Sequence, residues 1–263
     1  MIQLILRNVE YSGINFGIQT KLTDFAVDVH MCNFFGVLSN DGALYYNNSL
    51  GFIRIMSSSF VECKGILGSG CFYIYSGYCE IKSVCCFNGT NNGMGDLGTI
   101  YIKDKNLTME LMTYSGFVMA PEMQHVLFIS EKKSYIESCN SSQNIKKCYS
   151  AISISECSVC SIKFSSFVYN SATKFRVCFF SQITSLEVHH CNIINNTEVD
   201  LAGGVVYIAN SPNGIFDFCI FYKNTYFLFW ANHNFSLSNS FESNLKEKTT
   251  FHENNSLWKR VLL

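Results

Sequence analysis

A spacing of 26 to 28 residues runs through the chain and constrains its fold more than any other feature. The residues that close successive short strands are Phe34, Phe60, Phe87, Tyr114, Ser141, Phe167, Ile193 and Phe221, at steps of 26, 27, 27, 27, 26, 26 and 28. Two residues before each stands a small or sulfur-bearing side chain: Cys32, Ser58, Cys85, Met112, Cys139, Ser165, Cys191 and Cys219. Five before come Val29, Ile55, Lys82, Met109, Ile136, Ile162, Val188 and Phe216, apolar at seven of the eight places. Four before lies a polar column interrupted only by Met56: His30, Ser83, Glu110, Glu137, Lys163, His189 and Asp217. Such alternation predicts strands with one face inward and one outward. A second strand recurs from Ala43, Cys71, Thr99, Val126, Ala151, Val177, Val205 and Phe227. Gly42, Gly70, Gly98 and Gly204 precede four of these strands, where a sharp turn would use glycine's freedom at positive φ.

Two short strands per period, without a 3.6-residue pattern, exclude propellers with their longer blades and leucine-rich repeats with their own leucine spacing. The reading is all-β: a single right-handed parallel β-helix of about nine coils over residues 1–245. Residues 246–263 form a C-terminal tail, a cap or an incomplete coil. Coils stacked about 4.8 Å apart set equivalent residues over one another. Phe34, Phe60, Phe87, Phe167 and Phe221 are therefore expected in one core column. Asn144, Asn170, Asn196 and Asn224, with Asn244 beyond, are expected as an amide ladder that also tolerates a left-handed turn. The cysteine column reads as packed thiols. Cys139 and Cys191 are two coils apart and too distant to bridge, whereas Cys191 and Cys219 lie in neighbouring coils and could approach disulfide distance.

With 19 basic and 20 acidic side chains the net charge is −1, so no positive field exists to collect nucleic acid. No run of apolar residues reaches the length of a membrane-spanning helix. Met1 to Arg7 lack the features of a secretory signal, which suggests an intracellular protein or a piece of a longer one. Against that, seven Asn-x-Ser/Thr sites (Asn47, Asn88, Asn106, Asn140, Asn195, Asn234, Asn254) lean towards the cell surface or secretion. Thirteen cysteines, an odd number, leave the redox compartment open.

No catalytic, cofactor or metal site is expected. Asp28, Asp41, Asp96, Asp104, Asp200 and Asp217 fall at different offsets of the repeat, hence on different faces. His189 and His190 are neighbours in a strand and point apart. Cys157 and Cys160 have no second pair at a zinc spacing. Arg54 and Arg176 have no acidic partner by frame. Tyr45, Tyr73, Tyr101 and Tyr207 recur at steps of 28, 28 and 106, the last about four coils. They are the candidate binding strip: either core stacking or an outer band that grips sugar rings or a partner chain.

Glycine-led strands stand at Gly203, Gly204, Val205, Val206 and at Gly42, Ala43, Leu44. A Phe-x-x-Asn signature stands at Phe167 to Asn170, Phe221 to Asn224 and Phe241 to Asn244, with Ile193 to Asn196 as a variant. This rhythm resembles the repeats of polymorphic outer-membrane proteins. It is also similar to cysteine- and asparagine-rich β-helix proteins of protozoan cell surfaces, within the pectin-lyase-like superfold. The resemblance implies a surface or secreted interaction module, adhesive in character, with a glycan or protein partner. The superfold also hosts polysaccharide lyases and hydrolases, so the alternative is a carbohydrate-active enzyme or an inactive descendant that still binds glycans.

Overall fold

A computed structural model describes residues 8–91, 96, 98–103, 106–116, 125–130, 132–146, 149–173, 176–198, 204–211, 213–224, 229–231 and 235–243. Asp104, Asp200, Gly203, Asn234, Asn244, the start of the strand at Phe227 and the tail 246–263 lie outside them. The described chain is a parallel β-solenoid without helix, of about seven turns, and the nine-coil count is approximate. Three main sheets wrap one core, with two short three-stranded sheets, Leu38–Ser39 with Lys64–Gly65 and Thr90–Asn91, and Ile145–Lys146 with Ser171–Ala172 and Thr197–Glu198, beyond the second. The first contains Ala26–His30, Asn106–Glu110, Lys133–Glu137, Val159–Lys163, Ser185–His189 and Gly214–Asp217. The second is ten-stranded and includes Asn33–Phe35, Ser59–Val61, Cys85–Phe87, Asn140–Ser142 and Ile220–Tyr222. The third contains Gly98–Ile102, Leu127–Ser130, Cys178–Ser181 and Val206–Ala209. Early coils join third and first sheets through single long strands, Leu44–Met56 and Phe72–Lys82, so these two sheets are hydrogen-bonded as one.

Two coils depart from the sequence frame by one residue: the last, where Phe241 pairs with outward Ile220 and is 57% exposed, and the coil of Phe87. Phe60 and Tyr114 both pair with Cys86, not Phe87. Cys86 is 2% exposed and Phe87 47% exposed. The same shift places Ile81, instead of Lys82, between Ile55 and Met109, and sends Lys82 outward between Met56 and Glu110. It also buries Val84 where Cys85 was expected, leaving Cys85 exposed. Packing explains the choice of the smaller side chain. The Phe72 ring meets Phe60 edge-on at 5.6 Å and reaches over Gly98, where a Cβ would lie 2.8 Å from two of its carbons. Phe72 and Cys86 line one small apolar cavity, so the ring beside position 86 takes the volume that a second phenylalanine would need. Below it the column is aromatic, with Phe16, Phe34 and Phe60 stacked at 4.7 and 4.6 Å.

The corners explain the column of small and sulfur-bearing residues. The second-sheet strands from Asn33–Phe35 to Ile220–Tyr222 are entered through a residue at positive φ, such as Met31, Ser57, Leu111, Phe164, His190 or Phe218, and left through another, such as Gly36, Gln143, Tyr169 or Lys223. For a non-glycine residue this conformation costs roughly 1–2 kcal/mol. The residue after the first corner points inward and, where it is cysteine or serine, returns a hydrogen bond to the strand just left. Thiols of Cys32, Cys139, Cys191 and Cys219 donate to the carbonyls of His30, Glu137, His189 and Asp217, and the hydroxyls of Ser58 and Ser165 to Met56 and Lys163. Cys191 and Cys219 are thiols with no bridge between them. The expected glycine turns exist at Gly42 and Gly204, whereas Gly70 and Gly98 have no positive φ; Gly98 instead opens a strand.

After the second corner comes the asparagine column. Asn144, Asn170, Asn196 and Asn224 are all buried. The Nδ2 of Asn144 donates to Oδ1 of Asn170 (2.9 Å), that of Asn170 to Asn196 (3.2 Å) and that of Asn196 to Asn224 (3.2 Å). The same oxygens accept backbone N–H groups of Asn144, Asn170 and Asn196. These asparagines do not themselves take the left-handed conformation. The residues before them do, Gln143, Tyr169, Asn195 and Lys223, because the ladder needs an inward side chain straight after the corner.

Candidate functional site

Tyr45, Tyr73, Tyr101 and Tyr207 all face outward on the third sheet, half-buried, while Tyr46, Ile74, Ile100 and Ile208 point into the core. Tyr45 and Tyr73 are register partners and stack at 5.2 Å. Tyr101 is not in their column: it pairs with Tyr75, and its ring reaches Tyr73 diagonally at 6.0 Å. The gap to Tyr207 is filled by Phe128, His125, Tyr149 and Phe179. Successive ring centroids from Tyr101 to Tyr207 lie 5.5, 4.9, 4.5, 4.6 and 5.4 Å apart. Lys21 caps the run over Tyr45 at 5.3 Å and Arg176 over Tyr207 at 3.7 Å. Phe128 and Phe179 were legible as third residues of the repeated strand. His125 and Tyr149 sit beside it in an isolated bridge and carry no periodic signal.

Ring orientation limits what this ribbon can hold. Near-parallel pairs, Tyr45 with Tyr73 (11°), His125 with Tyr149 (15°) and Phe179 with Tyr207 (12°), cover one another's faces. Tyr101 is turned by 52° and 60° from its neighbours. Burial, then the charges of Asp96 and Glu156, raises its phenol pKa. Asp96 is fixed by Thr99 Oγ1 (3.2 Å) and the backbone N–H of His125 (3.1 Å). His125 is itself buried, and desolvation pushes its pKa down to about 3. An unfolded histidine binds a proton near pH 6.5, so acid favours the unfolded chain between that value and about 3. This part of the stability is complete above pH 6.5 and is lost as pH falls. Urea midpoints measured from pH 7 to pH 4 should decline, with the decline shallower in His125→Phe; an identical slope in the variant would refute the assignment.

The first sheet carries charges outward. Arg54 does have acidic partners by frame: it lies between its register neighbours Asp28 (3.4 Å) and Glu80 (3.0 Å). The one-residue slip in the following coil had hidden Glu80. Arg176 belongs instead to the ribbon. Farther along, Thr108, Met109, Glu110, Tyr135, Ile136, Glu137, Ser161 and Lys163 line a shallow groove. Tyr135 is 42% exposed and stands between the small register partners Thr108 and Ser161. Glu110, Glu137 and Lys163 follow one another on adjacent strands, and Glu110 also receives Lys82 Nζ at 2.8 Å. Of the aspartates set out by frame, those described are dispersed: Asp28 on Arg54, Asp41 on Lys21, Asp96 by the ribbon and Asp217 by His189. The glutamate pair was missed because its signal lay in the polar column, outside the aspartates considered.

His189 lies outward between Glu187 and Asp217, whereas His190 turns onto the corner, exposed. Cys157 and Cys160 are both buried, and Cys157 caps a corner through the carbonyl of Val159. Among the described residues no group of three His, Cys, Asp or Glu is placed to hold a metal ion, and no helix is long and apolar enough to cross a membrane. Of the glycosylation-pattern asparagines described, Asn47, Asn88, Asn106, Asn140 and Asn195, none is buried.

Fold and surfaces together define a β-solenoid protein with an aromatic band on one flank and a charged groove on another. No protein-family model, curated protein or solved structure matches the chain. The likeness to polymorphic outer-membrane-protein repeats therefore rests on the short motifs alone.

Proposed function

We propose that the chain is a non-catalytic interaction module, at a cell surface or secreted, that binds glycan through its lateral sheets. The observation that carries this reading is the groove on the first sheet. A pyranose has apolar C–H faces ringed by hydroxyls, and it needs a free aromatic face with hydrogen-bonding groups beside it. Tyr135 supplies the face, Glu110 and Glu137 the acceptors, and Lys163 a donor. The tyrosine hydroxyls of the ribbon add a second polar and aromatic flank. Binding to an array of neutral and acidic glycans should be seen with the wild type and fall by about tenfold in Tyr135→Ala, in line with loss of one buried aromatic contact. Equal binding by the variant would remove the groove from the reading, and an array with no signal would remove glycan altogether.

One feature favours a second reading, a carbohydrate-active enzyme. Glu110 and Glu137 project from adjacent strands, about 4.8 Å apart at the backbone. Retaining glycoside hydrolases hold their two carboxyl groups about 5–5.5 Å apart. Reducing-end release from a polysaccharide panel, abolished in Glu137→Gln, would select this reading over pure binding.

A further inference from the structure

The corner between first and second sheets carries a second surface, independent of the glycan reading. Phe164, His190 and Phe218 occupy the same corner in three successive coils, all at positive φ. Their rings touch at 5.1 and 5.0 Å, the second pair stacked within 11°. Phe164 is 54% and Phe218 51% exposed. In other coils this corner holds Gly13, Met31, Ser57, Ser83, Leu111, Ser138 and Asn239, so no other described coil places an aromatic ring there. Bulky aromatic residues are poorly suited to a left-handed corner, and exposing their rings to water forgoes burial. What sets these three coils apart is contiguity: rings in contact over consecutive coils, two of them more than half exposed, make an apolar stripe of the kind that marks interaction surfaces.

The flank beside the rings decides the ligand. Asp217 precedes Phe218 and accepts hydrogen bonds from Ser238 (2.7 Å) and Asn239 (2.9 Å), which with His189 keep its carboxyl below the ordinary range. Glu187 lies on the other side of His189 at 3.8 Å. Lys163, beside Phe164, is the one cation that adjoins the stripe on its own strand. Aromatic rings next to fixed carboxylates attract cations, most strongly guanidinium groups that can stack on a ring while pairing with an acid. We propose that the Phe164–His190–Phe218 corner docks arginine or lysine side chains of a partner polypeptide, with Asp217 and Glu187 as counter-charges.

The test is fluorescence anisotropy of a labelled oligo-arginine peptide and its oligo-glutamate counterpart, at low and at physiological salt. The wild type should bind the former and not the latter. Phe164→Ser with Phe218→Ser should weaken oligo-arginine by about tenfold, the loss of two cation–ring contacts. Its thermal midpoint should be kept or raised, since the fold itself places serine at this corner in three other coils. His190→Asn, a residue suited to the corner, and Asp217→Asn should each weaken binding in the same direction. Unchanged affinity in the folded double variant, or equal binding of both peptides, overturns the proposal. So does displacement of the peptide by a neutral oligosaccharide, which would assign the corner to glycan.

Discussion

Replacing Asn170 by alanine should destabilise the solenoid by about 3–5 kcal/mol, among the largest effects available to a single polar residue here. The side chain is fully buried and sits mid-ladder. Its Oδ1 accepts from Asn144 N, Asn144 Nδ2 and Ser141 Oγ, at 3.3, 2.9 and 3.2 Å. Its Nδ2 donates to the Ser141 carbonyl (3.1 Å) and to Asn196 Oδ1 (3.2 Å). Truncation strands donors of one coil and acceptors of both neighbours where water does not reach, and each stranded group costs about 1–3 kcal/mol. Asn170→Asp should be no milder at neutral pH. A carboxylate still accepts from Asn144 but offers nothing to Ser141 or Asn196, and its charge is buried. Acid should restore part of that loss by protonating the aspartate. Asn213→Ala is the control: this asparagine is exposed, with one bond of 3.4 Å to the Thr184 carbonyl, and the change should stay within about 0.5 kcal/mol. Urea unfolding followed by circular dichroism measures all three. An Asn170→Ala loss near that of the control would mean that the ladder is decoration.

Much of this fold is legible because a stacked solenoid repeats its demands at fixed intervals. The inward positions of Ile55, Met109, Ile136, Ile162 and Val188 repeat the same burial, so chemistry and spacing agree. The amide ladder is legible for the same reason, since each asparagine makes the same bonds as the one below. What the spacing does not carry is a choice between neighbours of similar apolarity, as at Cys86 and Phe87, where a third ring from another sheet decides. Nor does it carry orientation. The tyrosine spacing finds Tyr45 and Tyr73, yet whether a ring shows its face or its edge depends on the tilt of the next ring, and His125 and Tyr149 enter from irregular segments. The groove escapes for another reason: its shape comes from two small residues, Thr108 and Ser161, on either side of Tyr135, and small polar side chains leave no mark in a periodic pattern.

The corrected register makes an expectation opposite to that of the sequence frame. Phe60→Ala should cost about 3–5 kcal/mol, and Phe87→Ala should stay within about 0.5 kcal/mol, although both are phenylalanines closing equivalent strands one coil apart. Phe60 is fully buried, stacked on Phe34 at 4.6 Å and edge-on to Phe72 at 5.6 Å. Its removal opens a cavity between coils whose backbones are fixed by hydrogen bonds on all three sheets and cannot collapse into it. The Phe87 ring points outward, with its Cα partners Val61 and Ser115 on the same outer face. Cys86→Ala supplies the complementary measurement. Position 86 holds the inward place, so even this small truncation should cost more than loss of the whole Phe87 ring, whereas the sequence frame would make it the milder change. If Phe87→Ala proves as damaging as Phe60→Ala while Cys86→Ala is silent, the column runs through Phe87. Lys82 would then face the core and Glu80 would leave Arg54, undoing the charge ladder on which the first sheet's outer surface is built.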